Sequence, residues 1–355
     1  MSERPIRILV VDDSAVARKF LREILTAREG FEVVAIARDG LDALERIAEL
    51  EPDVVTLDLV MPHLDGLGVL EALKSRSKRP EVVVVSMSGE DSELGVAALA
   101  AGAFEVVKKP TALPTDRFFE LAGELCSKVL EAGRRRPRVG GNGAAPENVP
   151  FGSSEPPITP IPHAARSVRL VVVGASTGGP QALSQLLRAL PADFPVPVAV
   201  VLHMPEGYTE AFARRLDTEC ELSVSEASDG VALRPGAVVI ARAGLHLALV
   251  GSIDSKLAAE LAIEPLGVPH RPSVDVLFQS AARTVGAGVL GVVLTGMGSD
   301  GLIGSRAIRE AGGMVLTEAE QSCVVYGMPR SVFEAGLSNG QAPIERMAML
   351  IRGTL

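Results

Sequence analysis

Short apolar runs alternate with longer segments of helical periodicity along most of the chain. In the first third, the runs give five candidate strands at residues 6–11, 32–37, 53–58, 81–86 and 104–109. Helical patterns separate these strands, and a last helix is predicted near residues 115–131. Alternating strands and helices are typical of a parallel sheet, so this region is predicted to be a flavodoxin-like doubly wound α/β fold.

The second half of the chain repeats this alternation. Its clearest strands are predicted at residues 169–176, 197–204 and 289–296, with shorter strands and turns across residues 221–250. The pattern predicts a second doubly wound, mainly parallel α/β domain.

Between the two regions, residues 126–166 are rich in proline and glycine and show no period of either kind. Such a composition cannot bury a core and is typical of a flexible linker. We therefore predict a first domain over residues 1–125, a linker over 126–166 and a second domain over 167–355.

Composition and charge narrow the class of protein. A hydrophobic content of 47% indicates a globular chain, and the formal net charge of −9 argues against a nucleic-acid partner. The sequence shows no signal peptide and no apolar run long enough to insert in a membrane. The three cysteines, Cys126, Cys220 and Cys323, have neither metal-site nor disulfide spacing. We expect a cytoplasmic protein with reduced thiols, and a monomer.

Acidic side chains end two predicted strands of the first domain. Asp12 and Asp13 follow the first strand, and Asp58 ends the third. Clustered carboxylates repel one another unless a cation neutralises them, and hard oxygen ligands suit Mg²⁺. Ser86 ends the fourth strand and Lys109 follows the fifth. A metal ion, a hydroxyl and an ammonium can together stabilise a phosphoryl group on a carboxylate.

A glycine-rich turn, GASTGGP, follows the first strand of the second domain and contains Ser176 and Thr177. Small neighbours leave the serine hydroxyl and the adjacent N–H groups unobstructed, and the following helix directs its positive end toward them. His203 ends the next clear strand, and Asp300 lies in the turn TGMGSDG after residues 289–296. These three side chains form a nucleophile, base and orienting-acid set for acyl transfer.

The same turn, TGMGSDG, offers free N–H groups such as that of Met297 to a developing oxyanion. Two other interpretations of the serine turn remain open on the residues alone. It could hold a nucleotide phosphate, although its spacing matches no phosphate-loop motif, or it could be purely structural. The chain order Ser, His, Asp excludes the α/β-hydrolase fold, which presents serine, acid and histidine in that order.

The remaining histidines carry weaker signals. His63 is predicted to be exposed, His163 lies in the linker, and His246 is expected to be a satisfied strand residue. His270, in the polar cluster VPHRPSVD, is a candidate for lining the cleft, and Ser273 is the expected cap of the helix that follows.

The first domain resembles the response-regulator receiver family in its segments VVDDS, LDLVMPHLDG, VVS and KKP. The resemblance implies that Asp58 accepts phosphate from a histidine kinase, assisted by Asp12, Asp13 and Mg²⁺. Many receivers carry an aromatic switch residue three positions before the lysine, whereas Val106 stands here. We expect the switch to be read differently, or Phe104 to replace it in part.

The second domain, with its segments GASTGGP, LHMP, HRPSVDVLF and TGMGSDG, resembles the chemotaxis protein-glutamate methylesterase family (CheB). The resemblance implies Ser176 as nucleophile, His203 as base and Asp300 as the orienting acid. It further implies hydrolysis of glutamyl methyl esters on cytoplasmic helices of chemoreceptors, deamidation of receptor glutamines, and no cofactor for the hydrolysis.

Two domains on one chain suggest a regulatory hypothesis: the unphosphorylated receiver covers the Ser176 cleft and phosphorylation of Asp58 uncovers it. An alternative hypothesis is an interaction module controlled by phosphorylation, whose second domain binds a partner without turnover. A DNA-binding regulator is disfavoured because no basic recognition helix follows the receiver.

Overall fold

The structure is a computed structural model that describes residues 4–76, 78–86, 92–109, 115–135, 168–251 and 256–355, and for residues 115–121 it describes the backbone alone. Proline-rich residues 136–167, including His163, Pro137 and Arg136, lie outside the described residues.

A five-stranded parallel sheet forms the core of the first domain. Its strands run in the order β2-β1-β3-β4-β5. They span β1 Ile6–Val11, β2 Phe31–Ala37, β3 Val54–Leu57, β4 Glu81–Ser86 and β5 Glu105–Lys108. The helices are α1 Ala15–Thr26, α2 Gly40–Leu50, α3 Gly66–Lys74, α4 Ser92–Ala100 and α5 Thr115–Arg134. All five predicted strands and the flavodoxin-like fold are confirmed.

Helix α5 corrects the predicted start of the linker. It continues to Arg134, whereas the linker was predicted to begin at residue 126. Proline and glycine density misplaced that boundary, because Cys126, Val129 and Ala132 form a buried stripe at helical spacing. This stripe packs on the receiver core, so residues 126–134 belong to the first domain.

The second domain is built on a seven-stranded parallel sheet with the order β14-β13-β12-β6-β7-β9-β8. Its strands are β6 Leu170–Ala175, β7 Val198–Leu202, β8 Ser223–Glu226, β9 Ala237–Ile240, β12 Val289–Val293, β13 Met314–Glu318 and β14 Gly340–Ala342. An antiparallel pair, β10 His246–Val250 and β11 Ala258–Ala262, stands apart from this sheet. The predicted strands are therefore confirmed, with ends trimmed by a few residues.

In the part of the second domain that the structure describes, six α-helices pack around the sheet: α6 Gly179–Arg188, α7 Thr209–Glu219, α8 Val274–Val285, α9 Leu302–Glu310, α10 Met328–Glu334 and α11 Ile344–Arg352. Strands β12, β6 and β7 are neighbours at the centre of the sheet. Their carboxyl ends therefore open into one crevice, where parallel sheets bind ligands. Among the described residues, no helix combines the length and apolar character needed to cross a bilayer.

The two domains pack against each other through α4 of the first and α6 and α7 of the second. The ring of Tyr208, which is fully buried, lies against the backbone of Gly95. Gln181 Nε2 donates hydrogen bonds to the carbonyls of Leu99 and Ala103 at 3.2 and 3.0 Å. Apolar residues of both domains belong to one buried cluster, so the contact is a continuous packed interface.

Candidate active site

Ser176 lies in a tight turn between β6 and α6 and is 6% exposed. Its N–H donates to the Thr295 carbonyl at 3.0 Å, and its own carbonyl accepts the Gly179 N–H at 2.6 Å. Gly178 has a φ of 77°. A Cβ at Gly178 would lie 2.4 Å from Val324 Cβ, so both conformation and space require glycine there. The turn thereby fixes Ser176 at the carboxyl edge of the sheet.

His203 follows β7, the strand next to β6, and pairs with Asp300. His203 Nε2 lies 2.9 Å from Asp300 Oδ2. Nδ1 of His203 is buried and has no hydrogen-bond partner among the residues described. Because the Nε2 proton faces the carboxylate, Nδ1 of the neutral ring keeps its lone pair. The ring therefore has one nitrogen that can accept a proton, and it lines the same cleft as Ser176.

The carboxylate of Asp300 is held at the N-terminus of α8. It accepts the Ser273 hydroxyl at 2.9 Å and the N–H groups of Val274 and Asp275 at 2.8 and 2.9 Å. Burial disfavours its charge, but the bonds from His203 and from these N–H groups outweigh burial and lower the pKa of Asp300 to about 2. Asp300 is therefore ionised at neutral pH and can stabilise an imidazolium on His203.

Asp275, which sequence reasoning missed, completes this arrangement. Its Oδ1 accepts the N–H groups of Gly301 and Gly304 at 2.9 and 2.7 Å, at the start of α9. Asp300 caps α8 and Asp275 caps α9, so each carboxylate satisfies the free N–H groups of the other's helix. The only sequence signal was an acid in the first turn of a helix, which is too common to identify a partner.

Two further histidines surround the pair. His270 stacks on His203, with ring centroids 4.3 Å apart and planes inclined by 28°. Burial, followed by repulsion from His203, lowers the pKa of His270. His246 is buried: its Nδ1 accepts the Ser273 N–H at 3.2 Å and its Nε2 donates to the Pro265 carbonyl at 3.2 Å. His246 is thus a satisfied strand residue, as expected, and it fixes the backbone at Ser273.

The backbone N–H groups of Thr177 and Met297 are the candidate oxyanion donors. Neither donates a hydrogen bond to any residue that the structure describes, whereas Gly296 N–H binds the Val325 carbonyl at 3.0 Å. A Cβ at Gly296 would lie 2.8 Å from Ser176 Cβ, so this loop runs directly beside the serine. The sequence-predicted residues Ser176, His203, His270 and Met297 line one cleft.

That cleft, about 750 Å³ in volume, lies between the two domains. The receiver contributes residues of β5 and α5 to its wall, among them Glu105, Val106, Glu124 and Lys128. The Lys128 ammonium donates to Glu105 Oε2 and to Thr177 Oγ1, both at 2.8 Å. Lys128 thereby joins the receiver sheet to the residue next to Ser176. No sequence signal marked Lys128, because its partners lie far from it along the chain.

The first domain gathers its predicted residues at the carboxyl ends of β1, β3 and β5. Oxygen atoms of Asp12, Asp13 and Asp58 lie within 4.8 Å of one another, an arrangement that fits a divalent cation. Lys109 Nζ lies 2.6 Å from Asp12 Oδ2 and 2.8 Å from Asp58 Oδ2. Burial raises the pKa of Asp58 more than Lys109 lowers it. Ser86, which is fully buried, ends β4, the strand between β3 and β5.

The residues at and near the usual aromatic switch position are apolar and enclosed. Val106 is 1% exposed on β5 and lines the interdomain cleft, while Phe104 is 3% exposed in the receiver core. His63, by contrast, is exposed as expected, with Nδ1 3.1 Å from Asp39 Oδ2. Val106, three residues before Lys109, therefore lines the cleft between the two domains.

Comparison with known proteins supports both domain assignments. Residues 8–115 match the response regulator receiver domain, and residues 171–351 match the CheB methylesterase domain. The crystal structure of the Thermotoga maritima CheB methylesterase catalytic domain is similar to this chain, with a TM-score of 0.52 and 39% sequence identity. The match covers 53% of this chain and 100% of the Thermotoga maritima chain.

Two relatives match this chain over nearly their whole length. A protein-glutamate methylesterase/protein-glutamine glutaminase of Myxococcus xanthus is 61% identical over 98% of this chain and 97% of its own length. A protein of the same name from Symbiobacterium thermophilum is 42% identical over 98% of this chain and 96% of its own length. The chain therefore belongs to the CheB methylesterase family, as a member with an N-terminal receiver domain.

Proposed function

We propose that this protein is a hydrolase, activated by phosphorylation, that removes methyl groups from glutamyl methyl esters of chemoreceptors. The observation that carries the proposal is the cleft in which Ser176 lies beside the His203–Asp300 pair. Family membership supports the substrate class, because relatives named as glutamate methylesterases and glutaminases match along their whole length. In this proposal the protein acts as a monomer in the cytoplasm. It modifies the cytoplasmic helices of chemoreceptors and thereby provides adaptation in chemotaxis.

Hydrolysis begins when Ser176 Oγ attacks the ester carbonyl carbon and its proton passes to His203 Nδ1. The oxyanion accepts hydrogen bonds from the N–H groups of Thr177 and Met297. Collapse of the tetrahedral species expels methoxide, which takes the proton from His203 and leaves as methanol. Water then attacks the glutamyl–serine ester, with His203 again as base, and regenerates Ser176. Asp300 stabilises the imidazolium through Nε2 in both steps.

The same residues support deamidation of receptor glutamines. Ammonia then leaves from the tetrahedral species in place of methanol, and the acyl-enzyme is identical. The hydrolysis uses no cofactor in this scheme, because the nucleophile, the base and the oxyanion donors all belong to the chain.

In the receiver, we assign Asp58 as the acceptor of phosphate from a histidine kinase. Asp12, Asp13 and Asp58 would hold Mg²⁺, which supplies neutralising charge to the phosphoryl oxygens when bound. Lys109 holds the Asp58 carboxylate at 2.8 Å and is placed to bind the phosphoryl group. Ser86, together with Lys109, would couple phosphorylation of Asp58 to a change of conformation.

Access to Ser176 is the property that phosphorylation changes. The receiver's α5 and β5 form one wall of the cleft, and a bulky receptor helix needs that wall to move. Phosphorylation of Asp58 weakens the interface. If phosphorylation weakens the contact between the domains by about 1–3 kcal/mol, activity rises roughly 5–150-fold.

The test is methanol release from methylated receptor membranes, with and without acetyl phosphate and Mg²⁺. We expect release that rises with the phosphodonor, is lost in Ser176→Ala and loses only its stimulation in Asp58→Ala. No release under any condition would instead favour the alternative, an interaction module without turnover. Release that is indifferent to the phosphodonor would leave the triad in place and refute the role of the receiver.

A further inference from the structure

A buried carboxylate with no part in the hydrolysis described above lies behind the serine turn. Glu318 ends β13 and is 1% exposed. Its Oε2 accepts the backbone N–H of Thr295 at 2.8 Å, and its Oε1 accepts the Ser322 hydroxyl at 2.8 Å. Ser322 Oγ in turn accepts the N–H of Ile344 at 3.0 Å. Both carboxylate oxygens are therefore used, and the side chain is fixed from two directions.

Thr295, the residue that Glu318 holds, contacts the nucleophile turn from two sides. Its carbonyl accepts the Ser176 N–H at 3.0 Å. Its Oγ1 donates to the Thr177 carbonyl at 3.0 Å and accepts the Val325 N–H at 2.9 Å. Thr295 also leads directly into Gly296 and Met297, whose loop carries a candidate oxyanion donor. One residue thus sets the positions of both the nucleophile and the N–H groups around it.

We propose that Glu318 is a positioning residue for the hydrolysis, acting through Thr295 on Ser176 and the Met297 loop. The hydrogen bond from the Thr295 N–H to Glu318 fixes residue 295, whose carbonyl and hydroxyl groups hold residues 176 and 177. Displacement of Thr295 by a fraction of an ångström moves the serine hydroxyl relative to His203 and the oxyanion donors. Small errors of that kind lower the rate of the chemical step and leave substrate affinity alone.

The inference rests on the proposed function, since it assumes that Ser176 is the nucleophile. The position also suits glutamate in particular. The two oxygens of a buried carboxyl group can accept a backbone N–H and a hydroxyl at once. An apolar side chain of similar size would fill the space but leave the Thr295 N–H without an acceptor.

The experiment measures kcat and KM for methanol release by the full-length protein with acetyl phosphate and Mg²⁺ present. Glu318→Leu removes the acceptor at similar volume, and Glu318→Gln keeps an oxygen for the Thr295 N–H. We expect Glu318→Leu to lower kcat at least tenfold with KM unchanged, and Glu318→Gln to stay within about threefold of the wild type. Labelling of Ser176 by a fluorophosphonate probe should slow in parallel with kcat.

Asp217 provides the matched control, because its Oδ1 accepts the backbone N–H of Val224 at 2.7 Å on edge strand β8, away from the cleft. Asp217→Leu should lower the midpoint of urea unfolding without changing kcat. If Glu318→Leu fails to fold, Thr295→Val removes the hydroxyl bonds to the Thr177 carbonyl and the Val325 N–H, and Thr295→Ser restores them. The same fall in kcat for Thr295→Val, rescued in Thr295→Ser, is then expected.

Failure of this inference differs from failure of the proposed function. An active wild type whose Glu318→Leu variant keeps a normal kcat, or changes KM alone, overturns the positioning role. Equal losses in Glu318→Gln and Glu318→Leu also overturn it, because the oxygen acceptor would then be irrelevant. A wild type that releases no methanol overturns the proposed function itself.

Discussion

At the scale of single residues, Asp300 shows how the candidate site is held in place and how far sequence reasoning reaches. The chain order and the strand ends were enough to select Ser176, His203 and Asp300, because parallel strands bring their carboxyl ends to one edge. Sequence could not reveal that the Ser273 hydroxyl and two backbone N–H groups hold Asp300, since these groups lie 25 to 27 residues before Asp300 along the chain.

The first prediction at this scale concerns the rate. Asp300→Asn keeps the size of the side chain and one oxygen, but it removes the negative charge that stabilises the imidazolium. We expect kcat to fall on the order of 10³- to 10⁴-fold while KM changes little. Steady-state methanol release, in the presence of the phosphodonor, checks this. A fall of less than about tenfold would show that Asp300 does not act on His203 during turnover.

The second prediction concerns acid stability. The pKa of Asp300 is about 2 in the folded protein and 3.8 for an unperturbed aspartate. A lowered pKa gives stability that is present above pH 3.8 and is lost as pH falls toward 2, here about 2 kcal/mol. Asp300→Asn should lack this dependence. Both tyrosines, Tyr208 and Tyr326, lie in the second domain and the chain has no tryptophan, so tyrosine fluorescence during urea unfolding reports that domain. Wild type and variant curves of stability that run parallel from pH 5 to 2 would contradict it.

At the scale of elements, helices α8 and α9 form a mutually capped pair that fixes Asp300, the proposed acid of the triad. Strand positions were predictable because central parallel strands are continuous apolar runs. The partner of a cap was not, since capping acids look alike in sequence. The start of the linker was misplaced at residue 126 because the apolar stripe of Cys126, Val129 and Ala132 is short, and the proline-rich composition beyond it dominated the pattern.

The capped pair leads to a prediction for Asp275. One of its two oxygens, Oδ1, accepts the N–H groups of both Gly301 and Gly304 at the start of α9. Asp275→Asn should therefore keep both bonds if the amide oxygen takes the place of Oδ1. Asp275→Ala should lower the free energy of unfolding by about 1–3 kcal/mol, because two half-buried N–H groups lose their acceptor. It should also lower kcat, since the loop that carries Asp300 is no longer fixed.

Asp229→Ala is the control for this prediction, because Asp229 also accepts a backbone N–H, that of Leu261 on β11 at 3.0 Å, in an exposed hydrogen bond. Its activity should match the wild type. Unfolding curves followed by tyrosine fluorescence give the stability of all three variants. Equal activities of Asp275→Ala and Asp229→Ala would show that capping of α9 has no influence on the site.

At the scale of the whole molecule, the interface joins the phosphorylation site to the cleft. Two domains and a regulatory role could be inferred from the sequence. The surfaces through which the domains touch could not, because the apolar pattern of one domain does not show which residues of the other domain it contacts. Helix α4 packs on α6 and α7 with Gly95 against the Tyr208 ring, and Lys128 reaches Thr177. These contacts hold β5 and α5 of the receiver beside the cleft that Ser176 lines, and we propose that they restrict access to it.

Gly95→Ala offers a test of this closed state. A Cβ at Gly95 would lie 2.3 Å from Tyr208 Cε1, so the substitution wedges the interface apart. Alanine favours the helix itself by up to about 1 kcal/mol, so the receiver is not weakened. Activity without phosphodonor should rise several-fold, and stimulated activity should not change. Gly123→Ala, in a helix with nothing within 4 Å of the new Cβ, should leave the ratio of the two activities unchanged.

Tyr208 can also report the movement directly. It is fully buried at the interface, and Tyr326→Phe would leave it as the only tyrosine. If phosphorylation of Asp58 separates the domains, acetyl phosphate with Mg²⁺ should expose the Tyr208 ring and increase the quenching of its fluorescence by acrylamide. The increase should follow the rise in methanol release over a titration of phosphodonor and be missing in Asp58→Ala. Activation with unchanged quenching would mean that the cleft opens without separation at α4, through the β5–α5 wall alone, and that Lys128 rather than Gly95 marks the moving contact.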